Sequence, residues 1–418
     1  MGRLFFTDRG RVTIHHNEEI TRWRWAKKVL QVPPEAVGSP ADLWMLLSCY
    51  QGNKVPLVVQ VNRKAAGEIT AEQAGGATWS WVKWRIPAKL LREGKNEIVL
   101  SADTPAMNAW TLAMESVPHT PRSWLSLDGG KTWQNRHMGA HGILRGEYLI
   151  RLRSHSPKLH EHRLPQIIYE DPAHPRVQEL RNALPTHLRK MRDSWKQLLA
   201  LRTWVATRWQ WDSSGPVYTP WDPMTIIDWG NRKSDHHGQR RGRIVMCVHF
   251  GVVFASFAAA LGHRARCVAI TQDINSWKGH FVTEVFDERT GRWIIHDANY
   301  DVHYEDGLPL SGVDLAERAI AGKDCTDLVR SGPGMPTTQA GVMSSFRQYF
   351  ATGVSYRVLG IWTHNNFVSD PTVAPPGHGN INYCETDFIW YAPAELEEDA
   401  TAMFPYRCRS REKLTRPA

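Results

Sequence analysis

An apolar segment that begins at Cys247 and ends at Leu261 constrains the fold more than any other part of the chain. It carries no acidic residue and no Lys or Arg, and its apolar residues cover all sides of a helical wheel, which predicts a buried helix. Gly262 follows as a C-terminal stop signal. Cys247 then stands at the N-terminal end, where the helix dipole and free N–H groups favour a thiolate. On this pattern alone, Cys247 is either a core cysteine or a nucleophile.

The residues that follow the helix supply possible partners for a nucleophile. "RARCVAIT" predicts a strand, and "GHFVTEVFDERTGRWIIHDANYD" predicts a hairpin that turns at "DERTG". His280 begins the first strand of the hairpin and Asp297 ends the second. With a two-residue loop at Glu288 and Arg289, these side chains face each other on one side of the sheet, whereas a longer loop shifts the pairing by a residue or two. A carboxylate beside a histidine fixes the imidazole tautomer, as in a catalytic triad.

The segment from about 200 to 320 resembles the transglutaminase-like superfamily of papain-type cysteine enzymes. The resemblance is carried by "MCVHFGVVFASFAAALGHRARCVAI", "GHFVTEVFD" and "GRWIIHDANYD". It implies that Cys247 is the nucleophile, that His280 is its base and later the acid, and that Asp297 orients His280. The backbone N–H of Cys247 would donate to the oxyanion. Met246 before the cysteine and Phe281 after the histidine depart from residues common in the family, which bears on substrate preference.

Further site residues are predicted around this triad. The second oxyanion donor is a side chain upstream of Cys247, with Gln239, Asn231 and Trp229 as candidates. The residues predicted to contact substrate are Trp229, His237, Gln239, Trp277 and Tyr300.

The N-terminal part of the chain is predicted to be β-rich. Short apolar segments such as "VPLVVQVN" and "NEIVLSA" are separated by Gly, Pro, Asn and Asp, which is typical of a β-sandwich. "WRIPAKLLREGKNEIVLS" resembles the galactose-binding-like jelly rolls of carbohydrate-active enzymes, which implies a short helical turn followed by a strand. "SLDGGKTW" matches the Asp-box pattern of sialidase-type hairpins, in which Asp128 caps backbone N–H groups and the glycines adopt positive φ.

These patterns predict an α+β protein with an N-terminal β-sandwich and a papain-like transglutaminase core that a C-terminal β extension completes. The predicted domains are the sandwich at 1–154, a linker at 155–175, the catalytic core at 176–320 and the extension at 321–418. The segment after the linker has helical periodicity and contains Pro185, which predicts a break or kink in the helix. In the extension, "QYFATGVSYRVLGIWTHNNFVSD" and "INYCETDFIWYAP" predict strands.

Composition excludes several classes of protein. The six cysteines are scattered without a CxxC pair, which indicates free thiols and no zinc site. No calcium-loop or nucleotide-binding motif is present, so neither a metal nor a cofactor is expected. The net charge of +9 is mild for 418 residues and stands beside no nucleic-acid motif, so no nucleic-acid or membrane partner is expected. No signal peptide is recognised, which predicts a cytoplasmic protein, or an extracellular or periplasmic one if the chain has been trimmed.

The predicted function is thiol-dependent acyl transfer at an amide bond, most readily hydrolysis by a peptidase, an amidase or a peptide N-glycanase-like enzyme, while an amine acceptor would give cross-linking. The 19 tryptophans and the two N-terminal motifs favour a peptide, glycopeptide or glycan substrate, including cell-wall material. Two alternatives stay open. One is a non-catalytic binding module on the same fold. The other is a glycosidic-bond-cleaving enzyme that uses carboxylates such as Asp235, Glu284 or Asp301.

Overall fold

The computed structural model describes most of the chain and divides it into two compact units. The described residues are 3–10, 16–117, 119–213, 217–231, 243–272, 279–373, 385–391 and 405–415. The first unit comprises Met1–Arg163, Tyr383–Thr386 and Thr401–Pro405, and the second comprises Leu164–Asn382, Asp387–Ala400 and Tyr406–Ala418. The segment predicted as a linker, 155–175, therefore divides between the two units after Arg163.

The first unit consists of antiparallel strands. They are β1 (Arg3–Phe5), β2 (Asn17–Ile20), β3 (Trp25–Val32), β4 (Ala41–Cys49), β5 (Leu57–Val61), β6 (Lys64–Ile69), β7 (Ser80–Ile86), β8 (Gly94–Ser101), β9 (Trp110–Ser116), β10 (Ser123–Ser126), β11 (Gly146–Tyr148) and β12 (Ile150–Ser154). One sheet has the order β1, β12, β4, β9, β11, with β2 also paired with β9 and β7 with β4. The other sheet has the order β10, β3, β8, β5, β6.

A single hydrophobic core joins these two sheets. Along β5, buried and partly exposed residues alternate, so that Leu57, Val59 and Val61 enter the core from the second sheet. Leu43 and Met45 of β4 enter the same core from the first sheet. The period of two along β5 thus becomes one buried face, whereas every residue of β4 is buried, and the two sheets share the core between them as in a sandwich.

The turn after β10 is held by its own side chains. The carboxylate of Asp128 accepts hydrogen bonds from the backbone N–H of Lys131 at 3.0 Å and of Thr132 at 2.9 Å, and from the Thr132 hydroxyl at 2.6 Å. Gly130 has a φ of +86°, and a Cβ at this position would lie 2.6 Å from the Trp25 ring. The glycine is therefore required both by the backbone conformation and by the close approach of the ring.

The second unit combines helices with strands that are antiparallel except for the short parallel pair β13 and β14. Its helices are α1 (Pro175–Ala183), α2 (Thr186–Lys190), α3 (Ser194–Ala206), α4 (Pro223–Asn231), α5 (Cys247–Ala260), α6 (Gly312–Ile320), α7 (Ala340–Ser345) and α8 (Arg411–Thr415). Its strands are β13 (Val217–Tyr218), β14 (Arg243–Ile244), β15 (Ala265–Thr271), β16 (His280–Asp287), β17 (Arg292–His296), β18 (Val302–Asp306), β19 (Leu308–Pro309), β20 (Val329–Ser331), β21 (Val358–Trp362) and β22 (Phe388–Tyr391). The break predicted at Pro185 lies between α1 and α2. The chain as a whole is therefore α+β and mostly β.

The central sheet of this unit has the order β17, β16, β15, β21, β22, and the apolar helix α5 packs against it. The Thr283 hydroxyl of β16 donates to the Gly251 carbonyl of α5 at 3.0 Å. A Cβ at Gly251 would lie 3.0 Å from the Phe281 ring, so the glycine permits the close approach of helix and strand. Every residue of α5 from Val248 to Ala260 is buried, as its uniformly apolar sequence predicts.

The register of the β16–β17 hairpin differs from the one predicted with a two-residue loop. Asp287 pairs with Arg292, so the turn spans four residues, 288–291, and Gly291 adopts a φ of +63°. The pairing is shifted by two residues, and Thr283 rather than Phe281 is opposite His296. Because side chains alternate with a period of two, a shift of two keeps every side chain on its predicted face.

The C-terminal extension is less strand-like than its sequence suggests. Residues 346–350 form a π-helical turn and 354–356 form a short 3₁₀ turn, where the apolar and aromatic pattern predicted a strand. The strand begins only at Val358. Gly353, with a φ of +80°, separates the two turns. Short runs of aromatic residues do not distinguish a buried helical turn from a strand, which explains the error.

Candidate active site

Cys247 is a half-buried free thiol at the first residue of α5. The helix begins here because Met246 is extended and its backbone N–H donates to Nδ1 of His249 at 2.8 Å. The other ring nitrogen of His249 bonds to the carbonyl of Thr219 at 2.7 Å, so the histidine is a neutral capping residue. The sulfur therefore lies at the positive end of a long buried helix, which favours a thiolate.

His280 and Asp297 form the second part of the site. Nε2 of His280 lies 2.7 Å from Oδ2 of Asp297, and both side chains are buried. The other carboxylate oxygen of Asp297 accepts from the backbone N–H groups of Asn299 at 3.0 Å and Tyr300 at 3.2 Å. These bonds fix the carboxylate, and the carboxylate fixes the imidazole. Nδ1 is the ring nitrogen left for a second partner.

The thiol of Cys247 lies on the same imidazole. It is near enough to His280 to influence the pKa of the ring, so cysteine, histidine and aspartate lie together in one site. Burial lowers the pKa of His280, but the charges of Asp297 and Cys247 and its hydrogen bond to Asp297 outweigh burial and raise the pKa to about 10. The imidazolium form is therefore favoured at neutral pH, which suits a thiolate–imidazolium pair.

Hydrogen bonds to Asp301 hold the loop that follows Asp297 in place. Asp301 is buried and has a φ of +54°, a conformation that is uncommon outside glycine. Its carboxylate accepts from Nε of Arg202 at 2.7 Å and from the hydroxyl of Thr203 at 2.8 Å, both on α3. It also accepts from the backbone N–H of Gly334 at 2.8 Å. Sequence reasoning named Asp301 only as an alternative catalytic carboxylate and missed this supporting role.

Aromatic rings enclose the imidazole. The ring centroids of His280 and Phe350 are 4.3 Å apart, and those of His280 and Tyr300 are 5.3 Å apart. Tyr300, predicted to contact substrate, is buried and also packs against Phe346 at 4.8 Å. Burial and the nearby charges of Asp297 and Cys247 raise its pKa, so the phenol is neutral. Phe350 was not predicted from the sequence, where it is one aromatic residue among many in the least patterned region.

The side chains of the other predicted substrate and oxyanion residues lie outside the described part of the chain. Trp229 and Asn231 belong to α4, but their side chains are outside the description. His237, Gln239 and Trp277 lie outside the described residues altogether, as does Asp235. These predictions therefore stand untested, and so does the position of the second oxyanion donor.

Metal-binding clusters and membrane-spanning helices can be considered only for the described residues. Within that part of the chain, no group of three or more His, Cys, Asp or Glu side chains is placed to hold a metal ion. None of the helices described is both long enough and apolar enough to cross a membrane.

The site places a thiol beside a histidine that a carboxylate orients, and comparisons with known proteins add little to this observation. No protein-family model matches the chain, and neither does any curated protein. Among solved structures, one match is a protein from Cytophaga hutchinsonii provisionally described as a cysteine protease. It is 13% identical, with coverage of 68% of this chain and 76% of that one and a TM-score of 0.23.

A second match comprises the cysteine protease and lectin-like domains of a surface layer associated protein of Clostridium difficile. It is also 13% identical, with coverage of 31% of this chain and 32% of that one and a TM-score of 0.22. At these identities and TM-scores, neither protein assigns a family or an activity to the chain. The chemistry of the site rests on its own geometry.

Proposed function

We propose that the chain is a cysteine-dependent enzyme that hydrolyses an amide bond, with Cys247 as nucleophile, His280 as acid and base, and Asp297 as the orienting carboxylate. One observation carries the proposal: His280 is hydrogen bonded to Asp297 at 2.7 Å, and the thiol of Cys247 lies near enough to influence the pKa of the same imidazole. A structural histidine has no need of a thiol at a helix start on one side and a fixed carboxylate on the other.

The reaction follows from these positions. Nδ1 of His280 takes the proton of the Cys247 thiol, and the thiolate attacks the amide carbonyl carbon to form a tetrahedral oxyanion. The backbone N–H of Cys247, at the free end of α5, can donate to this oxyanion. The C–N bond then breaks as the imidazolium gives its proton to the departing amine. His280 next deprotonates a water molecule that attacks the thioester, which releases the acid and restores the thiol.

The finer parts of the proposal concern family and substrate. The order of Cys247, His280 and Asp297 and the elements that carry them are similar to the transglutaminase-like pattern. The substrate we favour is a peptide or glycopeptide, including peptides of cell-wall material, with water as acceptor. An amine in place of water would give a cross-linked product from the same thioester.

A glycosidase that uses nearby carboxylates is disfavoured by their partners. Glu284 is buried and accepts from Nε and a terminal nitrogen of Arg266 at 2.8 and 2.6 Å. Asp301 is occupied by Arg202 and Thr203. Carboxylates tied in this way are not free to transfer protons to a sugar oxygen.

The test combines thiol labelling with turnover. Iodoacetamide should label Cys247 of the intact protein stoichiometrically at about pH 6, where an ordinary thiol with a pKa of about 8.5 is almost wholly protonated. Peptide, glycopeptide and oligosaccharide pools are then incubated with the wild type and with Cys247→Ala. Cys49→Ala, which removes a buried cysteine of the first unit, is the matched control.

New amines released from peptide or glycopeptide pools by the wild type and by Cys49→Ala, but not by Cys247→Ala, would support the proposal. Labelling no faster than that of an ordinary thiol, with no turnover, would favour a binding module. Release of reducing sugars that persists in Cys247→Ala would favour a glycosidase.

A further inference from the structure

A single phenylalanine lies against the catalytic imidazole and is not explained by the chemistry of the triad. The rings of His280 and Phe350 are 4.3 Å apart between centroids, with an interplanar angle of 36°. His280 is 6% exposed and Phe350 is 7% exposed, so the contact excludes water. Phe350 thus covers one side of the imidazole, while Asp297 bonds to its edge at Nε2.

The backbone around Phe350 is shaped to hold the ring at this position. Phe350 ends a π-helical turn, Phe346–Phe350, closed by a hydrogen bond of 2.8 Å from the N–H of Ala351 to the carbonyl of Phe346. The carbonyl of Phe350 accepts from the hydroxyl of Tyr304 at 2.8 Å and from the N–H of Gly353 at 2.9 Å. π-helical turns are rare and are frequently found at functional sites.

We propose that Phe350 is a positioning residue whose ring holds the His280 imidazole in line between Asp297 and Cys247 and stabilises its protonated form. The inference rests on the proposed function, because it concerns the thiolate–imidazolium pair. An aromatic face attracts a cation, and the attraction is larger where water is excluded. The ring also blocks the rotation that would turn Nδ1 away from the sulfur.

The proposed role of Phe350 is separate from that of the charged groups around the imidazole. Among the described residues, the titratable side chains found to face His280 are Asp297, Cys247 and Tyr300. The π-helical turn itself carries Arg347, which is exposed. Replacement of Phe350 by an aliphatic residue therefore changes the surroundings of the imidazolium without adding or removing a charge.

The experiment compares three variants of the full-length chain. Phe350→Leu removes the aromatic ring, and Phe350→Tyr keeps one at the same position. Phe346→Leu is the matched control, because it removes an aromatic residue of the same turn whose ring centroid lies 4.8 Å from that of Tyr300. For each, the rate of Cys247 alkylation by iodoacetamide is measured between about pH 4 and about pH 10, and unfolding in denaturant records the stability. Phe350→Met replaces Phe350→Leu if the latter does not fold.

We expect Phe350→Leu to raise the pH midpoint of fast labelling by about 0.5–1 unit, because the ion pair loses the stabilisation that an aromatic face gives its cation. Phe350→Tyr and Phe346→Leu should keep the wild-type midpoint, even if Phe346→Leu is less stable. Equal midpoints in Phe350→Leu and the wild type, or equal shifts in Phe350→Leu and Phe346→Leu, would overturn the assignment. Slow, ordinary labelling of the wild type itself would overturn the proposed function, and the role of Phe350 with it.

Discussion

Replacement of Asp297 by asparagine tests the electrostatics of the triad with little change of shape. The Asp297 charge is the first of the interactions that raise the pKa of His280 to about 10, against burial, which lowers it. Without that charge, we expect the pKa to fall to 6.5, the ordinary value for histidine, or below. The side-chain oxygen of asparagine can still accept from the N–H groups of Asn299 and Tyr300, so the loop should keep its conformation.

The expected size of the effect follows from these pKa values. At pH 8, a group with a pKa of 10 is about 99% protonated, whereas one with a pKa of 6.5 is about 3% protonated, so the imidazolium population falls by about 30-fold. An asparagine N–H directed at Nε2 would in addition place the remaining proton on Nδ1, which is the wrong tautomer to accept the thiol proton. The thiolate–imidazolium pair should therefore be lost near neutral pH.

Two measurements check this prediction. NMR titration of the His280 ring gives its pKa directly, and iodoacetamide labelling of Cys247 at about pH 7.5 should slow by about tenfold, because a group with a pKa of 6.5 is then only about 9% protonated and the thiol ionises like an ordinary one. Asp287→Asn, at the far end of the same hairpin, is the control and should leave both readings unchanged. A His280 pKa that stays near its wild-type value in Asp297→Asn would refute the electrostatic reasoning.

The remaining predictions concern stability, measured by denaturant titration. Arg266→Met should lower the free energy of unfolding by about 3–5 kcal/mol, because it leaves the Glu284 carboxylate buried without its ionic partner. Arg289→Met should lower it by less than about 1 kcal/mol, because Arg289 is exposed where it pairs with Asp287. Similar losses in both variants would contradict this. His296 is fully buried, neither of its ring nitrogens has a hydrogen-bond partner among the described residues, and burial holds its pKa well below 6.5. Because the unfolded chain takes up this proton near pH 6.5 and the folded chain does not, His296 costs stability as the pH falls below about 6.5. His296→Phe should therefore lose less stability than the wild type between about pH 7 and about pH 5, and an unchanged pH dependence would refute the assignment.

The sequence by itself determined the elements of the site and their order. The uniformly apolar composition of α5 and the glycine after it specify a buried helix that begins at Cys247, and the alternating pattern around "DERTG" specifies a hairpin with His280 and Asp297 on one face. These predictions depend on local periodicity and on the signals that begin and end elements, which are encoded within a few residues. The side chains of the hairpin lie on their predicted faces although the assumed loop was two residues too short, because side chains in a strand alternate with a period of two.

Only the tertiary structure decided how the site is held together. The four-residue turn, the backbone bonds that fix Asp297, the anchoring of Asp301 by Arg202 and the placement of Phe350 on His280 were not readable from the chain. Arg202 and Asp301 are 99 positions apart, and Phe350 lies in a segment whose pattern predicted a strand. Hydrophobic patterning states which residues are buried, but it does not state which buried ring meets which, because that choice is made by the packing of distant segments against one another.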